Sequence, residues 1–97
     1  MTRSIHRLAV HELEVAAKFY ANEAGAKVAA RFLDEVERVV RLLEQYPGIG
    51  SATADGRLAF PLVGFPYTVI YRFLRNEVRV LVVRHQRRDP AQGGGRQ

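Results

Sequence analysis

The hydrophobic periodicity of this chain changes once, at Gly50, and that change limits the fold more than any other feature. Before it, apolar residues recur at helical spacing; after it, they alternate as in strands. Leu13, Ala16, Ala17 and Tyr20 fall at i, i+3, i+4 and i+7 and predict a helix over 11–23, its stripe widened by Val15 and Phe19. Glu12 and Glu14 in its first turn suit a helix N-terminus, and Gly25 suits its end. Ala29, Phe32, Leu33, Val36, Val39, Val40 and Leu43 form one face of a second helix over 26–46, stopped by Pro47-Gly48. Asp34 with Arg38 and Glu37 with Arg41 are i,i+4 pairs in the favourable order. The short link predicts an antiparallel helical hairpin.

The strands follow from the second pattern. Residues 4–10 read as a short strand, 50–56 as a loop, and 57–62 as a strand that Pro61 confines to an edge or an end. After a turn at 63–66, strands 67–74 and 77–85 flank a two-residue loop, Arg75-Asn76, with Asn76 suited to positive φ. That loop places residue i opposite residue 151 − i. One face then holds Tyr67, Val69, Tyr71 and Phe73 opposite Arg84, Val82, Val80 and Val78, and belongs against the helices. The other holds Thr68, Ile70 and Arg72 opposite Val83, Leu81 and Arg79, with His85 at its end. Arg72 facing Arg79 is a repulsive pair, and the Ile70, Leu81 and Val83 strip between the arginines predicts a partner surface. The bland alternative is that both arginines splay into water and the tail covers the strip.

At 97 residues the chain is long enough for one modest core. It has no cysteine, which excludes a disulfide scaffold, a Cys-liganded zinc and a thiol nucleophile. No apolar run approaches the ~20 residues of a membrane span. The start, Met-Thr-Arg-Ser-Ile-His-Arg, lacks the apolar region of a signal peptide, so a soluble cytoplasmic protein is expected. Residues 1–56 carry net −1 and residues 57–97 net +6, with eight arginines and no lysine in the second part. That bias toward planar, bidentate donors points to an anionic partner, against the alternative of ordinary solubilising surface.

Candidates for chemistry are few. His85-Gln86-Arg87-Arg88-Asp89 is the densest polar cluster; with Arg72 and Arg79 it could support metal-free RNA cleavage, or be an ordinary basic strand end. His6 and His11 have no ligand spacing and no carboxylate pair completes a metal site, so neither metal nor cofactor is expected. Gly48-x-Gly50 lacks the strand–turn–helix setting of a nucleotide loop.

Four segments, in order and spacing, resemble a known family: Ala9, Glu12-Leu13 and Phe19-Tyr20; Ala29, Arg31-Phe32, Leu43 and Pro47-Gly48-x-Gly50; Arg57-Leu58 and Phe65-Pro66-Tyr67-x-Val69-x-Tyr71-Arg72; Val78-x-Val80-Leu81-x-Val83-x-His85-x-x-Arg88-Asp89-Pro90. Together they resemble the RelE/ParE toxins of type II toxin–antitoxin systems, the ParE branch in particular. The resemblance implies an α+β fold of order β-α-α-β-β-β, a helical hairpin packed on one face of a small, mainly antiparallel sheet. It implies a single toxin domain over 1–90, with 91–97 as a flexible C-terminal tail. It also implies a growth-arresting toxin neutralised by a cognate, ParD-like antitoxin, meeting operator DNA only through that complex. RelE-like members cut messenger RNA on the ribosome; ParE-like members are described as non-enzymatic inhibitors of DNA gyrase. The ribonuclease branch usually carries a tyrosine near its C-terminal end, whereas this chain has no aromatic residue after Phe73 and only two lysines, Lys18 and Lys27. The expectation is therefore a gyrase-directed toxin whose antitoxin binds Ile70, Arg72, Arg79, Leu81 and Val83. The alternatives are a ribonuclease using His85, Arg72, Arg79, Arg87 and Arg88, or an inactive nucleic-acid-binding domain of the same fold.

Overall fold

Two helices lie on one face of a five-stranded mixed sheet of order β1-β5-β4-β3-β2 in this computed structural model, which describes residues 1–87 and 92–97. The strands are β1 (Thr2–Ile5), β2 (Ser51–Ala52), β3 (Leu58–Pro61), β4 (Tyr67–Leu74) and β5 (Glu77–His85); the helices are α1 (Arg7–Ala24) and α2 (Ala26–Gln45). This is the expected helical hairpin on a mainly antiparallel sheet. Its one parallel pairing sets β1 beside β5, Thr2 opposite Glu77 through Ile5 opposite Val80. Arg3 ties that edge to α2, donating to Glu37 at 2.8 Å and to Glu44 at 2.9 Å.

The first strand is shorter than its periodicity predicts, because helix α1 starts four residues early. His6 caps it, Nδ1 accepting from the Leu8 N–H at 3.1 Å, in the role Ser, Thr, Asp or Asn usually fills. The stripe reaches back to Ala9, which is fully buried, so Glu12 and Glu14 lie beyond the first turn. Val15 and Phe19 do not widen that stripe; they stand on the outer flank of α1, 53% and 55% exposed. On α2 the buried face is Phe32, Val36, Val39, Val40 and Leu43, with Leu33 exposed. Glu37 pairs with Arg41 at 3.2 Å, but Arg38 forks onto Glu35 rather than Asp34, and Glu35 also accepts from the Val63 N–H at 2.7 Å. A single 3-10 turn, Pro47–Ile49, follows α2.

In the β4–β5 hairpin, Arg75 rather than Asn76 takes positive φ, at 58°. From Leu74–Glu77 to Tyr71–Val80 the register is i to 151 − i; a bulge between Ile70 and Tyr71 then sets Ile70 opposite Val82. The extra residue is Leu81. Every β5 side chain beyond it changes face relative to strict alternation. Val83 joins Val69, Tyr71, Val78 and Val80 under the helices, while Val82 joins Ile70 and Leu81 on the opposite face. Among the antitoxin candidates, Val83 is therefore replaced by Val82. His85 likewise moves to the helix side, opposite Tyr67, with ring centroids 5.1 Å apart.

Candidate functional site

The sheet face away from the helices carries the basic residues of the hairpin. Arg72 and Arg79 lie directly opposite each other, as expected from the loop. Between them and the bulge, Ile70, Leu81 and Val82 are at most 3% exposed although no helix covers them. Their cover is the segment 92–97. Arg57 donates to the carbonyls of Gly93 at 2.8 Å and Gly94 at 3.2 Å, and also to that of Arg96. Arg79 donates to the backbone oxygen of Gln97 at 3.1 Å and to Ser4 Oγ at 3.1 Å. The bland reading of the strip is thus what the structure shows, except that the arginines bind the segment instead of splaying into water. Residues 92–97, part of the tail expected over 91–97, cross this face in contact with it. Among the described residues, Arg72 Nε is buried with no hydrogen-bond partner.

At the β5 edge the segment meets α1. Pairing with β1 ends at Ile5–Val80, and beyond it the edge groups of β5 are met by side chains. The Val83 N–H donates to Glu12 Oε1 at 3.0 Å, and the Leu81 carbonyl accepts from Arg96 at 3.0 Å. Arg96 also forks onto Glu12, at 2.8 and 3.0 Å, and the Gln92 amide donates to the same carboxylate. Both side chains are only 14% exposed. Burial pushes the Glu12 carboxyl up, but the Arg96 fork, the Val83 N–H and the Gln92 amide outweigh it and hold it below its ordinary value.

A carboxylate held below its ordinary value stabilises the closed arrangement fully above that value, 4.5, and loses the contribution as pH falls through the lower folded value. Acidification from neutral pH through and below the ordinary carboxylate range is expected to release 92–97, read as faster amide exchange at Arg96 than the intrinsic pH effect predicts. Glu12→Gln should show the released state already at neutral pH. An acid-insensitive Arg96 amide would mean that Glu12 does not hold the segment.

Of the residues considered for RNA cleavage, His85 and Arg87 lie together, but Arg72 and Arg79 do not join them. His85 lies on the helix side, in a cleft of about 280 Å³ with His11, Glu12 and Tyr67, its Nδ1 accepting from the Arg87 N–H at 3.1 Å. Arg79 is on the other face, six residues away along β5, or roughly 20 Å at strand spacing, with Arg72 opposite it on β4. Arg88 lies outside the described residues. Among the described residues no group of three or more His, Asp or Glu could hold a metal ion, and no helix is long and apolar enough to cross a membrane.

A family model for the ParE toxin of type II toxin–antitoxin systems, parDE, matches residues 4–90. The chain belongs to the ParE toxin family. The ParE match spans both helices and strands β2 to β5, and includes the second half of β1. Comparison with curated proteins gives no match. Among solved structures, a chain described as the chromosomal ParDE TA system from P. aeruginosa is similar, with a TM-score of 0.77 and 19% identity. The likeness covers 88% of this chain and 95% of that one. At that identity it shows the fold, which is the ParE-like arrangement expected above.

Sequence reasoning missed Glu12, Arg57, Gln92 and Arg96 as site residues. The available signal was Arg96, the one charged residue within the Gly-rich end of the chain.

Proposed function

We propose that this ParE-family chain is a non-enzymatic toxin that arrests growth by binding DNA gyrase and is neutralised by a ParD-like antitoxin. The observation that carries the reading is the family match over 4–90. Two features support inhibition over RNA cleavage. His85 is on the opposite sheet face from Arg72 and Arg79, so those two arginines share no centre with its imidazole. The chain also has no aromatic residue after Phe73. The antitoxin surface we propose is Ile70, Leu81 and Val82, rimmed by Arg72 and Arg79, where acidic side chains would relieve the opposed arginines.

The test is induction without antitoxin, following pulse-labelled DNA and protein synthesis. DNA synthesis should stop first, while protein synthesis continues through the early period. An immediate collapse of protein synthesis with cut transcripts would overturn the reading, and loss of cutting in His85→Ala would then assign a ribonuclease.

A further inference from the structure

The contacts of residues 92–97 are those of a bound peptide. Three carbonyl oxygens converge on the Arg57 guanidinium, whose side chain is only 11% exposed. The Arg96 guanidinium enters a receptor of its own, the two Glu12 oxygens and the Leu81 carbonyl. Between these anchors Gly93 lies flat on the strip. Its φ is +79°, and a Cβ there would come within 2.3 Å of Val82 Cγ2. Only glycine combines that backbone angle with that approach. The surface thus reads backbone carbonyls at one point, a cation at a second and a missing side chain at a third.

We propose that the outer face of the sheet is a peptide-binding groove whose resident ligand is this chain's own segment 92–97, and that an acidic protein segment using the face must displace it. The displacement half rests on the antitoxin reading above; the groove itself does not.

Three observations favour displacement by an acidic segment. The resident ligand contains three consecutive glycines, which lose more conformational freedom on ordering than any other residue, so the closed state is held against a large entropy cost. It also offers Arg57 neutral carbonyl oxygens, the nearby carboxylate among the described residues being Asp55 at 3.6 Å, and among those residues it leaves Arg72 Nε without a partner. Aspartate or glutamate side chains would make charge-assisted, bidentate contacts with the same guanidinia, roughly twice as strong as neutral ones. Finally, the departing Arg96 frees the Leu81 carbonyl on a β5 edge that β1 does not reach, where an incoming extended segment can pair.

The experiment compares the parent with Gly93→Ala and Arg96→Ala, all full length and with folding checked by circular dichroism. The probes are an apolar fluorescent dye and a synthetic peptide of residues 92–97. Both variants should bind the dye several-fold more strongly than the parent. They should also bind the peptide, which the parent excludes because its own segment is tethered in place. A peptide carrying alanine in place of Gly93 should bind at least ~10-fold more weakly, a penalty set by the Val82 contact. Equal dye binding by parent and variants, or equal affinity for the glycine and alanine peptides, would overturn the groove. A ParD-like antitoxin segment should then associate faster with the variants, by the ratio of closed to open parent. Equal association rates would overturn displacement. Failure of the antitoxin to bind any form would instead refute the toxin reading, and the dye and peptide would still decide the groove.

Discussion

Phe32→Ala is expected to lower the unfolding free energy by about 3–5 kcal/mol, toward the upper end of that range. Phe32 is fully buried on α2, and its ring is the hub that joins the layers: centroids lie 5.2 Å from Tyr20, 5.3 Å from Phe65 and 5.4 Å from Tyr67. Those partners come from α1, the β3–β4 turn and β4, so truncation leaves a cavity lined from three directions that no single element can move to fill. Each edge-to-face contact adds to the loss of burial. For a domain of this size the loss corresponds to a melting temperature lower by roughly 15–30 °C. Urea denaturation should show the midpoint shift with an unchanged slope. Leu33→Ala, one position along and 45% exposed, is the control and should stay within ~0.5 kcal/mol. A Phe32→Ala protein as stable as that control would put the α2 face wrongly on the sheet.

Tyr71→Phe removes one oxygen and is expected to cost about 1–3 kcal/mol, because two backbone groups lose their partner together. The Tyr71 hydroxyl donates to the Pro47 carbonyl at 2.7 Å and accepts from the Gly50 N–H at 3.0 Å. It thereby fastens the turn after α2 to the centre of the sheet, and its ring is fully buried. Burial pushes the phenol above its ordinary value, partly offset by the Gly50 N–H. Space at this contact is tight: a Cβ at Gly50 would lie 2.7 Å from the hydroxyl oxygen. Gly50→Ala should therefore destabilise as well, and the double substitution should cost less than the two single changes added, since the phenylalanine lacks the nearest atom the methyl strikes, although ring Cε1 at 2.9 Å remains. Tyr46→Phe, at a tyrosine 58% exposed, should be near neutral. Additive costs for Gly50→Ala and Tyr71→Phe would mean that the two groups do not meet.

Much of this architecture is local chemistry and is legible along the chain. The α2 stripe, the break at Gly25, the stop at Pro47 and the bounds of β4 and β5 follow from spacing and turn residues within a few positions of each other. The start of α1 was legible in part. Ala9 continues the apolar stripe, but the cap is a histidine, outside the residue types that usually announce a helix.

The sequence by itself determined the order and kind of the elements other than β2, a two-residue strand within the 50–56 stretch expected to be a loop, together with the tight β4–β5 loop that sets Arg72 opposite Arg79 and the helix face that carries Phe32 to Leu43. Those features rest on backbone preferences and on side chains a few residues apart. Tertiary structure alone decided the parallel seat of β1 beside β5, the bulge at Leu81 and the closure of the outer face by 92–97. The bulge exchanges Val82 and Val83 between faces, yet a run of valines looks the same in either phase. The closure depends on Glu12 meeting Arg96, 84 positions away, and on Gly93 meeting Val82. Contacts at that separation leave no period in the sequence, because they exist only once the sheet has brought the distant groups together.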